Sequence, residues 1–246
     1  MLTSSMVKDE ARRIGFNLVG IISIETLRTL PVGDVGGVKT LRLAEEEFPP
    51  TKSAIVLGYY LWDPIFNVHT IEPGWKGYGL HSSDEEFEFH QLYTEVIANK
   101  AWMLADWIRG LGFEAKPSAG IPLKRAAVEA GLGCQGKNTL LISTEYGPRV
   151  RLGAVLTSAD LQPDIPFKED LCRECMRCVL ACPTKALKPY KIEIKRCMVY
   201  ASESPESRDV DQDVRELTDR LTFKPTRGSF IECTICQEAC PIGRKT

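Results

Sequence analysis

Apolar and polar positions alternate along residues 1–160 in a way that predicts helices and strands in turn. Thr3 to Ser5 can cap a short helix that carries Met6 and Ile14 and stops at Gly15, and Leu18 to Ile24 then reads as a buried strand. Ser53 to Leu61 (SAIVLGYYL) is a second buried strand. Residues 62–82 form a Gly-, Pro- and aromatic-rich loop holding Trp62, Phe66, His69, Trp75, Tyr78 and His81. Ser83 and Glu86 have capping-box spacing, which starts a long helix there. Its apolar stripe runs Leu92, Val96, Met103, Trp107 beside Tyr93, Ile97, Leu104, Ile108, up to Gly110. A strand near Phe113–Ala115, a helix from Pro122 to Ala130, and strands around Thr139–Ser143 and Val150–Thr157 complete an α+β layer pattern. Pro163 and Pro166 mark a boundary, giving one domain over 1–163 and a second over 164–246 with a polar helical insert near 205–221.

Composition adds one fact to this pattern. The 246 residues are 43% hydrophobic and 26% charged, ordinary values for a folded chain. Net charge is −2, about −4 before residue 165 and +2 after it, so neither part is a polycation. Cysteine is the exception: there are nine, eight of them between Cys172 and Cys240. Arg12-Arg13 before an apolar run could suggest twin-arginine export, but no small-residue cleavage site follows. The expectation is a cytoplasmic protein without a membrane span, whose cysteines serve metal or redox chemistry rather than disulfides.

The spacing specifies that chemistry. Cys172-x2-Cys175-x2-Cys178-x3-Cys182-Pro183 is followed by Cys233-x2-Cys236-x3-Cys240-Pro241, the same run with Phe230 where the first cysteine would stand. Three thiolates within seven residues wrap one face of an iron–sulfur cube, and the fourth points to a neighbouring cube, as in two-cluster bacterial ferredoxins. One [4Fe–4S] cluster then takes Cys172, Cys175, Cys178 and Cys240. The other takes Cys182, Cys233, Cys236 and, for the missing ligand, Cys197. Zinc sites would show separated Cys-x2-Cys pairs instead.

Gly131-Leu-Gly-Cys-Gln-Gly136 matches a dinucleotide fingerprint, but a helix precedes it and a strand follows, the reverse of what that motif needs. It reads as a helix C-terminal glycine and a tight loop that lets something flat approach the backbone. Cys134 within it reads as a small buried apolar residue. The histidines His69, His81 and His90 lack metal-site spacing; His81 is the one candidate proton donor.

The stretch Ala126-Ala-Val-Glu-Ala-Gly-Leu-Gly-Cys-Gln-Gly-Lys-Asn-Thr-Leu-Leu-Ile-Ser, continuing through Tyr146-Gly-Pro-Arg-Val-Arg-Leu-Gly-Ala-Val-Leu-Thr157, resembles the epoxyqueuosine reductases and the related reductive dehalogenases. Lys195-Arg-Cys197-Met-Val-Tyr also sits where the reductases place their intermediate cysteine. The resemblance implies a nitroreductase-like domain holding cobalamin, followed by a ferredoxin-like two-cluster domain that reduces it, with FMN the alternative cofactor of such a fold. It places Gly131, Gly133, Gly136, Lys137, Asn138, Tyr146 and Arg149 beside the corrin. It implies an oxidoreductase fed by an electron donor such as a ferredoxin or flavodoxin and acting on a small molecule or nucleoside. The alternative is an electron-transfer or activating protein that reduces a corrinoid or flavin on a partner. The reductases carry a proton-donating aspartate in a Val-Asp-Ser-Ala-Pro segment; the matching segment here is Lys116-Pro117-Ser118-Ala119-Gly120, and their loop tryptophan is Cys134. With no basic arm, tRNA is expected to be an unlikely partner.

Overall fold

A computed structural model describes residues 2–35, 39–71, 89–204 and 208–243. Its first elements are α1 (Ser4–Ile14), β1 (Leu18–Ser23), α2 (Ile24–Arg28), β2 (Gly33–Val35), β3 (Lys39–Leu41), α3 (Ala44–Glu47), β4 (Ser53–Tyr60), β5 (Val68–Ile71), β6 (Phe89–Gln91) and α4 (Leu92–Gly110). There follow β7 (Ala115–Ser118), α5 (Leu123–Glu129), β8 (Cys134–Gln135), β9 (Leu141–Ile142), β10 (Val150–Thr157) and α6 (Arg177–Ala181). The last are β11 (Leu187–Lys188), β12 (Lys191–Ile192), α7 (Met198–Glu203), α8 (Gln212–Leu221), β13 (Ser229–Ile231) and α9 (Ile235–Glu238).

The main sheet is antiparallel with order β1-β4-β10-β7. Alternation along its strands supplies two cores. Ile21, Ile55, Leu57 and Val155 face α1 and α4, whereas Ile22, Ala54, Val56, Ala154 and Leu156 face α2 and α5. The Thr3 hydroxyl caps α1 by accepting the Met6 N–H, and Gly15 closes that helix at φ 107°, as the sequence predicts.

Helix α4 differs from expectation. It begins at Leu92, because residues 89–91 are extended and pair with β5; Ser83 and Glu86 lie outside the described residues, as does His81. Only the row containing Ile97, Leu104 and Ile108 is buried, and Met103 faces solvent. The loop expected at 62–82 contains β5, which joins β13 and β6 in a sheet of order β13-β5-β6. This sheet ties the cysteine-rich part of the chain to the first part. Asp164, between Pro163 and Pro166, pairs with Lys8 at 2.5 Å, donates its backbone N–H to the Ile21 carbonyl at 2.9 Å and accepts the Ile21 N–H on its side-chain Oδ2 at 2.8 Å. No helix among the described residues is long and apolar enough to cross a membrane.

Candidate iron–sulfur site

The two cysteine runs fold back on each other through α6 and α9, and their thiols divide between two cavities. The smaller, of about 60 Å³, is walled by Cys172, Cys175, Cys178 and Cys240. The larger, of about 210 Å³, is walled by Cys182, Cys197, Cys233 and Cys236. Each cavity brings together four cysteines expected to share a cluster, with Cys240 lining the first run's cavity and Cys182 and Cys197 lining that of the second. All nine cysteines are free thiols. Among the described residues, no three His, Cys, Asp or Glu side chains converge closely enough to share one metal ion. Four thiols around each cavity make a donor set of the kind that holds an iron–sulfur cube.

The walls are apolar and this sets the thiol chemistry. Burial pushes the Cys197 thiol up to about 11, and burial again, helped by Cys197 and Cys233, pushes Cys236 higher still. Cys172, Cys178, Cys233 and Cys240 move the same way, each chiefly through burial. Iron binds the thiolate, so loading these cavities releases protons. Cys134 is 7% exposed and packs with Ile142, Cys172 and Cys240, which makes it apolar backing for the smaller cavity. Lys124 also lines the larger cavity, and desolvation lowers its pKa while Cys197 and Cys236 pull it the other way.

The glycine loop supports the cysteines. A Cβ on Gly131 would lie 2.7 Å from the Ile165 carbonyl oxygen, and one on Gly133 would lie 2.2 Å from that of Ile142. The close approach expected for a flat ligand is taken up by the chain's own backbone at both positions. At Gly136 the crowding atoms belong to Ile142 and Asn138. The Lys137 N–H donates to Cys172 Sγ at 3.5 Å, and its Nζ donates to the Arg173 carbonyl. Asn138 lines both cavities. Arg149 donates to the carbonyls of Ile242, Gln237 and Cys240 at 2.8, 3.2 and 3.1 Å, holding the second cysteine run in place. Tyr146 alone of the seven keeps a half-buried ring on the surface, tilted over Tyr60 at 5.1 Å.

One assembly was not foreseen. His69, fully buried on β5, meets Glu203 at 3.2 Å and Glu232 at 3.0 Å. Arg151 on β10 pairs with Glu232 at 2.9 Å, donates to Asn67 at 2.8 Å and stacks 4.0 Å from the Tyr93 ring centroid. Gln91 completes it on Glu203 at 2.9 Å. Burial disfavours the His69 imidazolium, but its hydrogen bonds to the two glutamates prevail and raise the pKa. Burial raises Glu203, whereas Arg151 and His69 overcome burial and hold Glu232 low. Glu203 and Glu232 both reach the larger cavity, so this network joins the main sheet to the cysteine-rich part. Phe230, at the position lacking a cysteine, packs its ring 4.8 Å from His69. Pro117 lies on β7 opposite Val155, where it offers no proton.

Residues 171–243 match the family of 4Fe-4S double cluster binding domains. Over 98% of its length the chain is 28% identical to an epoxyqueuosine reductase from Gloeobacter violaceus (strain ATCC 29082 / PCC 7421), covering 76% of that protein. It is similar, at TM-score 0.67 and 20% identity, to a solved epoxyqueuosine reductase with an epoxyqueuosine-modified tRNA-Tyr stem loop, covering 97% of this chain and 64% of that one. A reductive dehalogenase structure described as suggesting a mechanism for B12-dependent dehalogenation is similar at TM-score 0.56 and 18% identity, over 87% of this chain and 33% of that one. The chain thus spans under two thirds of these solved relatives. The expectation that tRNA is an unlikely partner is corrected here: the fold this chain shares engages a tRNA stem loop in a relative, so the lack of a basic arm does not argue against RNA.

Proposed function

We propose that this chain, a member of the superfamily that joins epoxyqueuosine reductases and reductive dehalogenases, is an iron–sulfur oxidoreductase that acts on a modified nucleoside in a tRNA stem loop. The observation that carries the reading is the double-cluster domain set within a fold that, over 97% of this chain, is similar to a reductase bound to such a stem loop. The cysteines fit two [4Fe–4S] clusters: Cys172, Cys175, Cys178 and Cys240 hold one, and Cys182, Cys197, Cys233 and Cys236 hold the other. When bound, these clusters supply one-electron transfer at low potential. The chain's own part is to seat them side by side between apolar walls, with Lys137, Arg149 and the glycine loop fixing their ligands. A reduced ferredoxin or flavodoxin is the donor class. Reduction of an epoxide to an alkene takes up two electrons and two protons and releases water.

The corrin assignment fares differently. Of the residues expected beside it, Gly131, Gly133, Lys137 and Arg149 are engaged in contacts within the chain, whereas Tyr146 keeps its ring at the surface. We therefore derive no step through a corrin held by that loop, and read the nitroreductase-like N-terminal part as the scaffold of the clusters and the substrate face. Pro117, at the position of the reductases' aspartate, favours a second reading, in which the clusters reduce a corrinoid or flavin on a partner protein. The deciding experiment is anaerobic incubation of cluster-loaded protein, reductant and epoxyqueuosine stem loop, with and without cobalamin, followed by mass spectrometry of the nucleoside. Loss of one oxygen supports the proposal. No conversion under either condition, with both clusters present, overturns it, and reduction of a partner's cofactor alone selects the second reading.

A further inference from the structure

Asn138 stands in the turn between β8 and β9, is 3% exposed and lines both cysteine cavities. Its Oδ1 accepts the Leu140 N–H at 3.2 Å, and that bond decides which end of the amide is which. The other end, Nδ2, is buried and has no hydrogen-bond partner in the protein. Folded chains rarely leave an amide donor buried in this way, and each such group calls for a reason. Here the two cavities beside it are walled by thiols, so the acceptors that cluster loading brings within its surroundings are sulfur atoms.

We propose that Asn138 donates its free Nδ2–H to sulfur of a [4Fe–4S] cluster and thereby sets that cluster's reduction potential. The inference rests on the two-cluster reading above. Reduction adds negative charge to a cluster, and a hydrogen bond to its sulfur stabilises the reduced form, so the donor raises the potential. The residue is also placed between the two electron carriers, where its effect bears on the step from one to the other. A role confined to the turn would need only Oδ1.

The test is an anaerobic EPR-monitored redox titration of the loaded full chain, wild type against Asn138→Leu and Asn138→Thr, with iron and sulfide measured on every sample. Leucine has similar bulk and no donor. Threonine retains an oxygen for the Leu140 N–H and serves if the leucine variant fails to fold. The expected result is that both variants keep two clusters while at least one potential becomes more negative. A tenfold change in the reduction equilibrium would appear as about 59 mV for a one-electron couple. Two loaded clusters with unchanged potentials in the threonine variant would overturn the assignment. A wild-type chain that takes up only one cluster would instead overturn the reading beneath it.

Discussion

Replacing Arg151 by Met tests whether the buried network holds the two parts of the protein together. The Arg151 side chain is 19% exposed and the Glu232 side chain 7%, and the guanidinium also bonds Asn67 and covers Tyr93. Removing one partner of a buried pair costs about 3–5 kcal/mol, because the surviving charge stays desolvated. His69 still engages the other oxygen of Glu232, so the lower end, about 3 kcal/mol, applies. For a chain of this size each kcal/mol moves Tm by about 2–4 °C, so the expected fall is roughly 6–12 °C. The assay is anaerobic thermal unfolding of loaded protein, with iron content checked because Glu232 precedes Cys233. Adding Glu232→Gln should restore part of the loss, since it removes the stranded charge. A shift below about 2 °C, or a double variant that simply adds the two losses, would show that this network does not hold the two parts together.

Two further outcomes follow from the same geometry. His69 has a folded pKa raised above 6.5, so its charge-dependent contribution is fully present below pH 6.5 and is lost as pH rises through the raised value. The Tm difference between wild type and His69→Gln should therefore shrink from pH 6 toward pH 9, and a constant difference would show that the imidazole acts only by packing. Gly133→Ala places a Cβ 2.2 Å from the Ile142 carbonyl oxygen at φ 152°, so iron retention during gel filtration should drop sharply. Wild-type retention would mean that the loop yields easily.

Much of the site was legible because cluster ligation is a local code. Three cysteines within seven residues have few other uses, and a lone Cys197 completes the count. Strands β4 and β10 were equally plain, being long apolar runs bounded by turn residues. The network around His69 was not readable, since its members come from positions 67 to 232 and none has a distinctive neighbour in sequence. The same holds for β5, whose partner β13 lies some 160 residues away. That α4 starts at Leu92 is not legible locally, because residues 89–91 are held extended by pairing with β5, a strand distant in sequence. The tightness of the glycine loop is legible in its sequence, but that the Ile165 and Ile142 backbones make the close approach at Gly131 and Gly133 is not, because sequence does not reveal which chain segment packs there.

The proposed function requires two clusters held by crossed sets of four cysteines, with Cys197 as the eighth ligand. The decisive measurement is iron analysis and EPR of anaerobically reconstituted Cys197→Ser beside wild type. Wild type should hold about eight irons per chain, and the variant about four with loss of the coupled signal of two reduced clusters. An unchanged iron content and spectrum in the variant would contradict that assignment.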